Sequence, residues 1–350
     1  MIFRYVILSA LKNLQYERSV SAVYYLIQGK QSIQTIQDAH LFEIDKYYRI
    51  TKYLNKKRFM KEIQLLEQEL YLEAMPNENY YELTSKANEW LEKNESKMEL
   101  WIVNGMRYHY IDDVFFERLL LTIQVWANFV KNERTYIPVI EKFEVKHWVK
   151  QYFINSKNNV AQLMKNLYEE LAEILHSIDE LYVEIFVLQL TSYKKYGLAK
   201  VQIAEKTGSP KEDIELMTLT VVHQILDKVD AEPTRFPILA HLKSDVTEEK
   251  QLTFSASKTK SLLQKGYTIE QVAQQRRLKE NTIYDHIVEI AIHDQTFNIQ
   301  SYMTTDERHD IIKAIQQVQS YSLKDIKQAV TENISYFQIR LVLASWNKYL

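Results

Sequence analysis

The apolar positions of this chain repeat at helical spacing for most of its length. The run from Tyr5 to Leu11, bracketed by Arg4 and Lys12, reads as a first amphipathic helix; it is too short to span a bilayer and no small-residue cleavage pattern follows it. Phe59, Ile63, Leu66 and Leu70 place a third helix around Lys57 to Glu69. Met75 to Asn79 then looks like a turn between two short strands, the second being Tyr80 to Leu83, and Thr84 opens a closing helix. Residues 1–95 therefore predict three helices, a small β-hairpin and a further helix, which is the layout of a winged helix.

Residues 96–245 predict a helical middle domain interrupted at Pro138 and at Asn155-Ser156. Trp101, Trp126 and Trp148 fall there as packing residues. Within it, 201–217 fits a helix-turn-helix: Ala204 is small where two helices cross, Gly208 suits a left-handed turn, and Ile214 packs back. Glu212, Asp213 and Glu215 would present the wrong sign to phosphate. Pro233 and Pro237 mark a corner, with a domain boundary around 240 to 255. Residues 252–350 predict a last helical domain with an internal echo. Tyr267 to Val272 recurs in type as Tyr321 to Ile326, each with a Ser/Thr cap and a polar partner three residues on, Gln271 and Asp325. Ala273 and Ile283 keep helix-turn-helix spacing, but Arg277 stands where glycine is usual.

Composition strengthens the helical reading. The 350 residues include only 5 Gly and 5 Pro, so turn-rich sheet architectures are disfavoured, and the length suits two or three domains. The predicted fold class is mainly all-α, a multi-unit helix-turn-helix and winged-helix protein with one small β-hairpin wing near the N-terminus. The chain has no cysteine, which excludes disulfides, thiolate metal sites and thiol nucleophiles and fits a cytoplasmic location. No stretch is long and apolar enough for a membrane span. The net charge of −2 conceals an uneven distribution: residues 1–60 carry 10 Lys+Arg against 4 Asp+Glu, and residues 61–100 carry 4 against 10. Residues 101–250 carry 18 against 22, and 251–350 carry 12 against 10.

Candidate chemistry is sparse. Gln28 to Ser32 lacks the earlier glycine and the Ser/Thr after lysine that a phosphate loop needs. His286 and His293 lie seven residues apart, about 10 Å along a helix, too far to share one metal; with Glu289 they read as a solvated polar face. Asp112-Asp113 and Glu169-Glu170 read as solvated helix surface without a partner base. The expectation is no catalytic site, no metal, no cofactor, no membrane contact and no small-molecule substrate. Lys52, Lys56, Lys57 and Arg58, at the start of the third helix, are the leading candidate phosphate contacts; Lys30 and Arg18 share that basic segment, and a solvated charge cluster is the competing reading. Arg276, Arg277, Lys279, Asn281, Thr282 and Tyr284 form a second candidate set, although Glu280, Asp285 and Glu289 on the same helix oppose phosphate contact.

Tyr24 to His40, with the hairpin and Leu83 to Ala87, resembles the winged-helix domain C-terminal to the motor of RecQ helicases. Ser257 to Ala273, Arg277 to His286 and Ile334 to Val342 resemble the helix-turn-helix domain appended to many helicase C-termini. Over essentially its whole length the chain is similar to the YpbB family of Firmicutes, whose genes commonly neighbour that of a short RecQ-type helicase. The resemblance implies a non-catalytic accessory that binds DNA and partners a RecQ-type helicase in repair or recombination. A transcriptional regulator, or a scaffold that binds protein alone, are the alternatives. Two departures are visible: a Cys-free chain cannot hold the zinc subdomain of RecQ enzymes, and the hairpin tip, Pro76-Asn77-Glu78, has no aromatic strand wedge.

Overall fold

The computed structural model describes residues 1–99, 101–246, 252–294 and 296–346, so the expected boundary at 240 to 255 lies partly outside the described residues. Among them the chain is helical with one two-stranded antiparallel sheet. It divides into two compact units: Met1–Val6 with Glu89–Thr247, and Ile7–Asn88 with Glu248–Leu350. The first and last of the three segments expected from sequence thus fall mainly in the same unit.

In the unit formed by Ile7–Asn88 and Glu248–Leu350, four helices precede the hairpin where three were expected. They are Ile2–Asn13, whose first turns belong to the other unit, Val20–Gln28, Ile33–Leu41 and Lys56–Gln68. Gly29, left-handed at φ 82°, ends one helix, and the Ser32 hydroxyl accepts from the Thr35 N–H (3.3 Å) to start the next. The Asn55 side chain caps Lys56–Gln68 by accepting from the Arg58 N–H at 2.8 Å. Phe59, Ile63 and Leu66 are fully buried as the spacing predicts; Leu70 is 68% exposed, because the helix has ended and Leu70 turns left-handed (φ 60°). Leu72–Ala74 pairs with Tyr81–Leu83, Leu72 opposite Leu83, and Thr84 caps the following helix through the Ala87 N–H.

The second half of this unit consists of two three-helix sets: Phe254–Gln264, Ile269–Arg276 and Glu280–His293, then Thr305–Val318, Leu323–Ala329 and Tyr336–Ala344. In each, a left-handed residue, Gly266 (φ 85°) or Gln319 (φ 50°), stands just before the Ser/Thr cap of the middle helix. Thr268 and Gln271 close a full capping box, whereas Ser322 only accepts from the Asp325 N–H at 3.4 Å. Helix Ile33–Leu41 packs on Glu280–His293 and Tyr336–Ala344, so the two ends of the chain share one core.

The other unit is built around Lys211–Ala231, which buries Ile214, Val221, Val222, Ile225, Leu226 and Val229. Glu180–Val187, Lys200–Thr207, Asp112–Val130 and Val160–Leu175 pack on it. Between Lys200–Thr207 and Lys211–Ala231, Gly208 is left-handed at φ 67°. The second of these helices is the core of the unit, however, and Asp213 is buried, accepting from the Phe3 N–H at 2.8 Å, so it does not face outward. Glu170 likewise is buried and accepts from the Ile238 and Leu239 N–H groups at 3.1 and 3.0 Å. Asp112 is buried beside His223. The solvated reading of Asp112 and Glu170 is therefore replaced: orphan amides at a helix start recruit Glu170 inward. Trp126 and Trp101 are buried, and Trp148 lies under the Arg118 guanidinium at 4.2 Å.

Candidate nucleic-acid interface

Val272, Ala273 and Ile283 are buried where Ile269–Arg276 crosses Glu280–His293. The turn between them is left-handed at Arg277 (φ 54°), so a non-glycine residue occupies the glycine position, and the Leu278 N–H donates to the Ala273 carbonyl at 2.9 Å. From His286 to Ile292 every residue of the second helix is buried. Its fully exposed residues are at the amino end: Lys279, Glu280 and Asn281 are exposed and Thr282, Tyr284 and Asp285 half-buried, with Arg277 exposed on the turn. That is the end by which a recognition helix meets base edges.

Of the three acidic residues that argue against phosphate contact, Glu280 stays exposed, Asp285 is paired and Glu289 is buried. Asp285 accepts from Arg340 at 2.7 Å, and Glu289 accepts the Thr253 N–H (2.5 Å) and hydroxyl (3.1 Å). His286, expected on a solvated face, is buried against the Thr259 hydroxyl at 2.9 Å. Burial, and then the Arg276 charge, push His286 below its ordinary value; burial pushes Glu289 up, against the Thr253 bonds. Arg276 is committed inward, donating to the Ser255 carbonyl (2.7 Å) and hydroxyl (2.9 Å) and to Thr259. Tyr284 stacks on Phe337 with centroids 4.3 Å apart. Among the described residues no group of three His, Asp or Glu is placed to hold a metal.

The basic helix start is differently arranged. Lys56 and Lys57 are exposed, while Arg58 pairs with Glu62 at 2.8 Å. Lys52 lies 5.5 Å over the Tyr53 ring. Arg18 and Lys30 line one cavity of about 310 Å³, in which Arg18 is held on the Asp38 carboxylate (2.9 to 3.1 Å) and Lys30 sits 4.0 Å over Tyr25.

The helix-turn-helix domain family matches residues 255–343, the span of both three-helix sets. Over 343 residues the chain is 32% identical to Protein YpbB of Bacillus subtilis (strain 168), covering 97% of this chain and 96% of that protein. The chain belongs to the YpbB family. No solved structure matches it. In this YpbB-family chain the sequence reading passed over Tyr53, 71% exposed beside Lys52. The sequence carries no signal that singles it out, since Tyr48, Ile50 and Leu54 in the same loop are buried. No helix of the described residues is long and apolar enough to cross a membrane.

Proposed function

We propose that this chain is a non-catalytic, DNA-binding accessory protein that partners a RecQ-type helicase in DNA repair or recombination. The observation that carries DNA binding is the amino end of Glu280–His293, where Arg277, Lys279 and Asn281 are exposed and Thr282 half-buried, with Glu280 the one exposed acid among them, while Asp285 and Glu289 are engaged elsewhere. Hydrogen-bonding Asn281 and Thr282, with the cations Arg277 and Lys279 on their amino side, suit a groove edge, and Lys56, Lys57 and the exposed Tyr53 supply a second surface suited to phosphate and to an unpaired base. The helicase partnership rests on the helicase-tail resemblance of a chain that carries no motor sequence.

The test measures DNA affinity against salt for the wild type and for Lys56→Ala combined with Lys57→Ala. If these lysines contact phosphate, the slope of log K against log salt falls by about 2 in the variant. The same protein added to the purified short RecQ-type helicase raises that enzyme's DNA affinity and unwinding. Enrichment of a single palindrome from random duplexes would instead indicate a transcriptional regulator, and no DNA binding at low salt would indicate a protein scaffold.

A further inference from the structure

Helices Asp112–Val130 and Phe143–Ser156 pack together around Leu121, Val145 and Val149. In the connection between them Ile140 packs against this core, while the stretch around Pro138 stands away as one wall of a cavity. Gln124, buried at 3% exposure, donates to the Ile137 carbonyl (2.9 Å) and accepts from the Val139 N–H (2.8 Å), bracing the loop on both sides of Pro138. One amide side chain thus stands in for a pair of backbone bonds and holds the loop as a wall.

Between the loop and the helices lies a cavity of about 470 Å³, within the range of ligand-binding clefts. Its floor is apolar, with Leu121 and the edge-to-face pair Phe129 and Phe153 (4.9 Å). Its rim is cationic: Arg134, Lys146, Lys150 and Lys157. Arg134, Lys150 and Lys157 are exposed and make no ion pair among the described residues, and Lys146 pairs only with the exposed Glu141 at 2.9 Å. The single acidic lining residue, Glu133, accepts from the Thr135 N–H at 2.8 Å.

We infer that this cavity is a docking site for an acidic peptide segment bearing apolar side chains. Lys146 and Lys157 are separated by about 16 Å of helical rise, further than one small anion can bridge, so the rim suits an extended chain with carboxylates at intervals. The concave floor accepts an apolar side chain between carboxylates. A nucleic acid fits less well: Phe129 and Phe153 are half-buried and pack edge to face, which limits the ring surface open to a base, and residues 101–250 carry more acid than base, which disfavours a long polyanion more than a short acidic peptide held by the local rim. The site lies wholly within the unit that lacks the candidate DNA surfaces and is independent of the proposed function.

The test is fluorescence anisotropy on the full chain with a fluorescein-labelled synthetic peptide of alternating aspartate and phenylalanine. Saturable binding is expected, at least about tenfold tighter than an all-aspartate peptide of equal length. Lys150→Glu combined with Lys157→Glu is expected to weaken it by about tenfold or more with an unchanged circular dichroism spectrum, since neither lysine has a partner to lose. Absence of saturable binding, equal binding of the all-aspartate peptide, an unaffected charge-reversal variant, or displacement by an unlabelled single-stranded oligothymidine would each overturn the assignment.

Discussion

Glu170 and Glu289 are acids placed where hydrophobic phase would put aliphatics. Glu170 shares a helix face with Leu167, Leu171 and Ile174, all buried, and Glu289 lies within the buried run from His286 to Ile292. Adjacent acids such as Glu169-Glu170 suggest a wet surface, but the position in the 3.6-residue repeat, which was visible, points Glu170 inward. What was not visible is the reason such acids are tolerated, because their partners lie far along the chain: the Ile238 and Leu239 amides for Glu170, the Thr253 amide for Glu289. Burial raises both carboxyls above their usual value, so their folded forms hold a proton more tightly than the unfolded chain does. Their stabilising contribution is full below about pH 4.5 and is lost as pH rises through the raised folded value. His286, His40 and His241 are lowered by burial, and the sign reverses: their contribution is present above about pH 6.5 and is lost as pH falls through the depressed folded value. The raised carboxyls and the lowered histidines act in opposite directions as pH falls, so the test is differential: His286→Gln, which removes one lowered histidine, is expected to make the change in urea midpoint from pH 7.5 to 5.5 less negative than in the wild type. One proton is worth at most about 1.4 kcal/mol per pH unit. An unchanged slope in the variant would contradict this account.

Elements were the most legible level. Caps written in the sequence are caps in the structure, as at Thr84, Thr268 and Ser322, and the hairpin forms between Leu72 and Leu83. The additional helix before the hairpin follows from a break at Gly29 and Ser32, within the polar stretch from Gln28 to Ser32 that the sequence reading weighs only as a phosphate loop. Arg277 is the instructive element boundary. A left-handed arginine costs about 1 kcal/mol that glycine would not, so Arg277→Gly is expected to leave stability equal or raise it by up to about 1 kcal/mol, the larger backbone freedom of glycine in the unfolded chain opposing the gain. If the guanidinium meets phosphate, the same substitution weakens DNA binding by several-fold. Thermal melting and anisotropy on one sample separate the two effects. A loss of stability alongside the loss of binding would show that Arg277 is retained for packing instead.

At the scale of the whole molecule, pattern reading fails for a physical reason. Local periodicity carries no information on which distant helices meet, and the compact unit made from Ile7–Asn88 and Glu248–Leu350 depends on contacts across some 300 residues. Gln37 donates to the Arg340 carbonyl at 3.2 Å, the Glu17 carboxylate accepts the Tyr321 N–H at 3.0 Å, and Phe42 meets Tyr321 edge-on at 5.3 Å. Residues 252–350 expressed alone would bare the faces covered by Ile33–Leu41, and their melting temperature is expected to fall by more than about 8 °C relative to this unit in the full chain. Equal melting would mean that the helix-turn-helix segment is self-sufficient. The discontinuity also sets a clock on synthesis. The ribosome must add residues 89–247 after the first half of this unit has emerged and before its second half exists. At about 5–20 residues per second that interval is on the order of 10 s, during which Ile33–Leu41 waits with its apolar face unclaimed. The nascent chain thus leaves that face uncovered for longer than a contiguous domain of equal size would, and any message truncated before codon 248 yields a polypeptide whose amino-terminal segment cannot complete this core.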